Sequence, residues 1–240
     1  MSHLSGEERT TYVREMFARI ARRYDLLNRL MTFGQDLRWR REAVQWLALD
    51  GHVRVLDLGA GTGDLGFELH RQLPHADVIA ADITPEMMRI GMQRPGGGRL
   101  AWLVADALHL PFADQCMDGV ISAFLLRNVP DVPLALQEQQ RILRPGGSLV
   151  SLDTCPPPGG FLRPLIQFYL SIIIPLLGRL VVGDAEAYTY LPQSTSRFLS
   201  PPQLAEALQE AGLQEIHYRR RMFGTIAIHW SRRNPADPDV

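Results

Sequence analysis

The chain has 240 residues and balances 25 Lys+Arg against 26 Asp+Glu, a formal net charge of −1. That length can bury one full core, so a single α/β domain with additions is expected, and the even charge leaves no electrostatic footprint for nucleic acid. Every one of the 25 basic residues is an arginine, and without a lysine amine neither Schiff-base nor pyridoxal-phosphate chemistry is open to it.

The first stretch, "MSHLSGEERTTYVREMF", carries acidic residues and no apolar core, unlike a secretory signal, so the protein is expected in the cytoplasm. Cys116 and Cys155, far apart and in no CxxC pair, fit reduced intracellular thiols. Val13, Met16, Phe17, Ile20, Ala21 and Tyr24 recur at helical spacing and predict an amphipathic helix, with Arg14, Arg19, Arg22 and Arg23 off its apolar stripe. A second helix follows in "FGQDLRWRREAVQWLA", and residues 1–50 form an N-terminal helical cap.

Val53 and Val55 lead a buried strand into "LDLGAGTGD", residues 56–64. Gly59, Gly61 and Gly63 permit a tight turn there and leave peptide N–H groups bare, with Thr62 between them, at the start of the next helix. Helix "LGFELHRQL", strand "ADVIAADI", helix "TPEMMRIGMQR", strands "LAWLVAD" and "DGVISAF", helix "PLALQEQQRIL" and strand "GSLVSLD" complete a core over residues 51–154. Strands alternating with helices of this length predict a doubly wound α/β fold around a mostly parallel sheet, with ligands at the carboxyl ends of the strands.

The pattern then breaks into an apolar helical insertion or lid, residues 155–200. Its run "PLIQFYLSIIIPLLG" has 15 residues and contains Pro175, too short and too kinked to span a bilayer, which takes about 18 to 20. Leu165, Ile166, Tyr169, Leu170 and Ile173 share one helical face, which either covers an isoprenoid tail or touches a membrane surface, or packs as a core or homodimer-interface helix. Residues 201–230 predict a helix and a hairpin around Phe223 and Gly224 that adds an antiparallel strand; residues 231–240 read as a disordered tail.

A glycine loop alone does not choose a cofactor. The dinucleotide pattern G-x-G-x-x-G, counted from Gly59, needs glycine at position 64, where Asp64 stands and would repel a pyrophosphate. Asp57 and Asp64 instead suit a cofactor with a cationic amino-acid portion. Asp82, ending the second strand, can accept from both ribose hydroxyls, and Asp106 with Ala107, ending the third, can read an adenine edge. No His/Cys/Asp cluster has metal-ligand spacing, so no metal is expected.

These strand ends, together with "RILRPGGSLV", resemble the class I S-adenosylmethionine-dependent methyltransferases. A closer likeness lies outside that pocket. "MFARIARRYDLLNRLMTFGQDLRW", "FLLRNVPD", "AYTYLPQSTSRF" and "GTIAIHW" occur in the order found in the ubiquinone/menaquinone biosynthesis C-methyltransferase family, over about Val13 to Trp230. The resemblance implies a seven-stranded sheet with an antiparallel last strand, S-adenosylmethionine as cofactor, and methylation of a ring carbon of a polyprenyl hydroquinone such as demethylmenaquinol. It also implies a lipid quinol partner and a peripheral position at the inner membrane face. The chain departs from the family pattern at Leu125, where "FLLRN" has leucine for glycine, at Asp153 and Cys155 in "LDTCPP", and in "RFLSPPQL". Those departures leave room for another small apolar acceptor, or for a non-catalytic lipid-binding protein that retains a nucleoside site.

A ring carbon becomes nucleophilic when an ortho or para hydroxyl ionises, which calls for a base or cation beside the oxygen. Arg127 is the candidate cation, with a structural salt bridge as its other reading, and Asn128 the group that orients the ring. Tyr24 with Asp25, and Tyr188 with Tyr190, are candidates to close the pocket; His109 is the histidine nearest the cofactor in sequence.

Overall fold

The computed structural model describes residues 6–181 and 185–235, without the side chains of 180, 181, 185–189 and 191. A seven-stranded sheet runs in the order β3-β2-β1-β4-β5-β7-β6, with β1 Arg54–Leu58, β2 Asp77–Asp82, β3 Ala101–Val104, β4 Met117–Ala123, β5 Leu143–Thr154, β6 Leu213–Arg221 and β7 Ile226–Arg233. The first five strands pair in parallel, whereas β7 lies antiparallel to both β5 and β6, completing the expected fold class.

Sequence explains the middle of this sheet directly. β1 is buried at every position after Arg54, as a parallel strand covered on both faces must be. Its side chains alternate between faces. Leu56 and Leu58 join Val120, Leu149 and Leu136 in one core, while Val55 joins Ile121, Val150, Leu65 and Leu69 in the other. Chain order runs outward from β1 on one side and from β4 on the other, so their carboxyl ends diverge into a crevice, the switch point where doubly wound sheets hold ligands.

Helices cover both faces: α2 Asp36–Trp46, α3 Asp64–Gln72, α4 Pro85–Gln93, α5 Val132–Ile142 and α9 Pro201–Glu210. A separate apolar cluster stands off the sheet. In it Val13, Met16, Ile20, Leu27 and Met31 of α1 (Gly6–Thr32) meet Ile174 of α7 (Ile174–Val181) and Tyr190 of α8 (Ala185–Arg197). The predicted first helix and the apolar insertion thus form one cap. Within the insertion, α6 (Arg163–Phe168) joins α7 through a π turn, Tyr169–Ile173. The widened turn stands just before Pro175, whose ring cannot continue a regular hydrogen-bond ladder. Among the described residues no helix is long and apolar enough to cross a membrane.

The tail expectation needs correcting. β7 continues through Ser231 and Arg232 to Arg233, whose guanidinium donates to the carbonyls of Gln140, Arg141 and Leu143, so the sheet reaches three residues further than expected. Residues 236–240 lie outside the described part.

Candidate active site

At the carboxyl ends of β1 to β4 a cleft encloses about 970 Å³ of empty space, its open mouth included. Asp57, Gly59, Gly61, Thr62, Asp82, Asp106 and Ala107 all line it. Gly59 (φ +71°) and Gly61 (φ +56°) hold the loop in the left-handed region, and a Cβ on Gly59 would stand 2.9 Å from Leu125. Asp82 ties the loops together, accepting from the Gly61 amide at 2.8 Å and the Thr84 amide at 2.7 Å. Asp106 accepts from the Leu108 amide at 2.9 Å. Gly63 does not line the cleft. Its small size serves packing instead, since a Cβ there would meet Trp102 at 2.6 Å.

Five carboxylates (Asp25, Asp57, Asp64, Asp82 and Asp106) and one guanidinium, Arg40, line the cleft among the described residues, so the space favours a cationic ligand. Among the described residues no side chain donates a hydrogen bond to either carboxylate oxygen of buried Asp57. Burial pushes its carboxyl up to about 7, and Arg40 with the Gly66 backbone offsets only part of that. A ligand cation would relieve this buried charge. Asp64 behaves differently. Its carboxylate pairs with Arg29 at 2.5 Å and Arg94 at 2.8 Å. Burial would raise it, but Arg40, Arg29 and Arg94 together hold it below the ordinary carboxylate range. Asp64, expected to attract a cationic ligand or at least to do it no harm, is thus of the second kind: two arginines already satisfy it.

α1 roofs the cleft with Thr10, Val13, Phe17, Tyr24 and Asp25. It is latched there by the Thr62 hydroxyl, which donates to Asp25 at 2.7 Å. Burial raises the Tyr24 hydroxyl above its usual range, and Arg127 offsets part of the rise. Tyr24 accordingly borders the cofactor side and not the greasier space beyond.

That second space, about 1390 Å³, is walled by α6, the π turn, the α1–α2 junction and the β6–β7 turn. Its lining is mainly apolar, including Met31, Leu165, Ile166, Ile173 and Ile226. Among the described residues Phe124 alone lines both spaces. Its φ of +63° is rare for a bulky side chain, and its ring lies between two guanidinium groups, Arg40 at 5.3 Å and Arg127 at 5.2 Å. On the chamber side lies Asn28, a polar residue on the buried stripe of α1 whose amide faces the Tyr24 hydroxyl. On the cleft side is Asn128, whose Nδ2 donates to the Phe124 carbonyl at 2.8 Å while its Oδ1 is left unpartnered.

Arg127 is not a free cation. It is buried and pairs with Asp153 at 2.5 Å, while borders of the chamber still include its side chain. The structure thus realises the salt-bridge reading, and Asp153, one of the departures from the family pattern, is its partner. Tyr188 lies in α8, but its side chain is outside the described residues. His109 is exposed and lines neither space, and buried His229 meets the Pro201 carbonyl at 3.0 Å on the far strand. Sequence reasoning missed Phe124, Asn28 and Arg40. Only Asn28 carried a signal, a polar side chain four residues after Tyr24 on an apolar stripe.

Among the described residues no group of His, Cys, Asp or Glu is arranged to hold a metal ion. Bare backbone at a helix start, acids at successive strand ends and a buried carboxylate fit a nucleoside with a cationic amino-acid arm. The fold with this cleft defines a class I S-adenosylmethionine-dependent methyltransferase. A solved S-adenosylmethionine-dependent methyltransferase from Thermotoga maritima shares the fold at 19% identity, TM-score 0.66, over 92% of this chain and all of its own. The profile of the ubiE/COQ5 methyltransferase family matches residues 4–233, and the chain belongs to that family. It is 45% identical to a ubiquinone/menaquinone biosynthesis C-methyltransferase from Desulfotalea psychrophila, over 91% of this chain and 89% of the relative. It is 44% identical to a demethylmenaquinone methyltransferase from Thermus thermophilus, over 89% of this chain and 98% of the relative.

Proposed function

We propose that the chain methylates a ring carbon of a polyprenyl hydroquinone, a demethylmenaquinol or a ubiquinol precursor, at a membrane surface. The observation that carries this reading is the apolar chamber adjoining the cation-favouring cleft across the single ring of Phe124. S-adenosylmethionine, when bound, supplies a methyl group already activated by its positive sulfur. The protein's task is to position the acceptor and exclude water. Asp82 and Asp106 would hold the cofactor's nucleoside and Asp57 would offset its cationic arm, with α1 roofing the cleft.

The acceptor's head lies against Phe124 with its tail in the chamber. The Asn28 amide donates to a ring oxygen, favouring the ionised hydroxyl that makes the neighbouring carbon nucleophilic. The same contact would hold the ring as the ionised quinolate through methylation; the proton displaced from the methylated carbon would pass to water at the cleft mouth, since among the described residues no side chain of the chamber is a base. Arg127, neutralised by Asp153, acts on the acceptor through the field of a buried pair and through the set of Phe124.

Tail length tests the assignment. Each buried methylene is worth about 0.8 kcal/mol, so KM should fall steeply over the first isoprene units and then level as the tail outgrows the chamber. A KM indifferent to the tail would reject the chamber as its seat.

A further inference from the structure

The mouth of the apolar chamber is built from three separate segments, and each ends in an exposed phenylalanine. Phe33, at the α1–α2 junction, is 74% exposed; Phe161, just before α6, 97%; and Phe223, in the β6–β7 turn, 73%. Two of these tips are also strained. Phe33 has φ +53° and Phe223 φ +54°, a region that bulky side chains rarely adopt. Burial cannot be the reason for that strain, because both rings face solvent. Leu162 and Leu165 of the chamber wall are 44% and 65% exposed, and Leu37, at the start of α2, 46%.

Charge points the same way. Residues 26–35, 155–181 and 216–230, which carry the three tips, contain arginines and no Asp or Glu. Arg38, Arg163 and Arg220 are exposed, one beside each apolar projection: Arg38 follows Leu37, Arg163 follows Leu162, and Arg220 packs within 3.8 Å of the Cβ position of Gly224. Glu42 takes Arg219 and Arg221, and Asp36 and Asp64 take Arg29, so Arg38, Arg163 and Arg220 are the cations this apolar patch offers to an anionic bilayer surface, into whose interface aromatic rings insert while guanidinium groups meet lipid phosphates.

We propose that this face docks the enzyme on anionic membrane, with Phe33, Phe161 and Phe223 inserted and the chamber opening directly into the lipid. The docking face deepens the quinol reading and rests on it for its purpose, since a long-tailed acceptor then enters the chamber without crossing water. Arginines and aromatics act together, so binding depends on both lipid charge and salt.

The test is sedimentation of the whole protein with phosphatidylcholine vesicles, with and without phosphatidylglycerol. Phe161 and Arg163 do not line the chamber, so Phe161→Ser/Arg163→Gln/Arg220→Gln separates docking from chemistry. Wild type should sediment with the anionic vesicles only and be released by salt. The triple variant should bind at least ~10-fold more weakly, while its turnover of a short-tailed, water-soluble quinol is unchanged. Wild type left in solution with anionic vesicles would overturn the proposal, as would a triple variant that binds normally. A dimer in sedimentation equilibrium that Phe161→Ser dissociates would assign the patch to a second copy and overturn it too. Vesicle binding without turnover of any quinol supports the docking face and rejects the substrate reading instead.

Discussion

Changing Asp153 to asparagine removes the countercharge of a guanidinium that is only 5% exposed, from a carboxylate 3% exposed. The loss exceeds one ion pair. The Asp153 carboxylate also accepts from the Thr154 amide at 2.7 Å and, more loosely, from the Arg127 amide at 3.3 Å. Stripping one partner from a buried pair costs about 3–5 kcal/mol, because the other charge is left without water or counterion. Such a cost is a large share of the ~5–15 kcal/mol that holds a domain folded. Urea unfolding with linear extrapolation should show it as a lower midpoint at unchanged slope. Replacing both partners by apolar residues, Arg127→Met with Asp153→Leu, should recover stability to within ~1–2 kcal/mol of wild type. The stable double variant then isolates the chemistry, with turnover at least tenfold lower and S-adenosylmethionine affinity nearly unchanged. A cost below ~1 kcal/mol for Asp153→Asn would refute the buried-pair argument. Equal loss of turnover and cofactor affinity in the double variant would give Arg127 a purely structural role.

Three further perturbations probe the cleft. Asp82→Ala should weaken S-adenosylmethionine at least tenfold, about 1.4 kcal/mol, by leaving the ribose hydroxyls without an acceptor; unchanged affinity by calorimetry would reject that role. Burial raises Asp57 from 3.8 to about 7, so the folded state holds a proton that the unfolded state has already lost between those values. Stability of the ligand-free protein should therefore fall as pH rises from ~4 toward ~7 and level off above it. A bound cation favours the ionised carboxylate, so cofactor affinity should instead strengthen as pH rises to about 7, and Asp57→Asn should weaken both trends, leaving the share of Asp82 and Asp25, which burial also raises. A pH-independent Kd in the parent protein would contradict this assignment. Gly91→Ala would place a Cβ 2.2 Å from Trp102 and 2.8 Å from the Thr62 carbonyl. Overpacking of that kind costs about 1–3 kcal/mol, seen as a lower Tm, and an unshifted Tm would mean that Trp102 can move aside.

Local chemistry made some of this readable before any coordinates. Val55 to Leu58 announce a strand buried on both faces, and the glycines after it announce a turn with bare backbone. Asp82 and Asp106 could be placed because a strand end is a local feature that the topology carries to one edge. Pairings across the chain were not readable. Arg127 and Asp153 stand 26 positions apart, and nothing nearby in sequence distinguishes a buried pair from a free cation. Likewise, the neutralisation of Asp64 depends on Arg29 and Arg94 arriving from α1 and the end of α4. Gly63 looked like its neighbours Gly59 and Gly61, yet Trp102 packs where its Cβ would stand, a contact nothing local announces. The left-handed backbone of Phe124 has no clear local cue, because one of the two arginines over its ring, Arg40, arrives from α2, and Arg127, three residues on, does not announce that contact.

The most direct measurement of the central claim is transfer of an isotopically labelled methyl group to demethylmenaquinone offered in reduced and in oxidised form, with the product's label located by NMR. The account predicts label on a ring carbon, formed only from the reduced acceptor. Label on oxygen, or equal transfer to the oxidised ring, would contradict it.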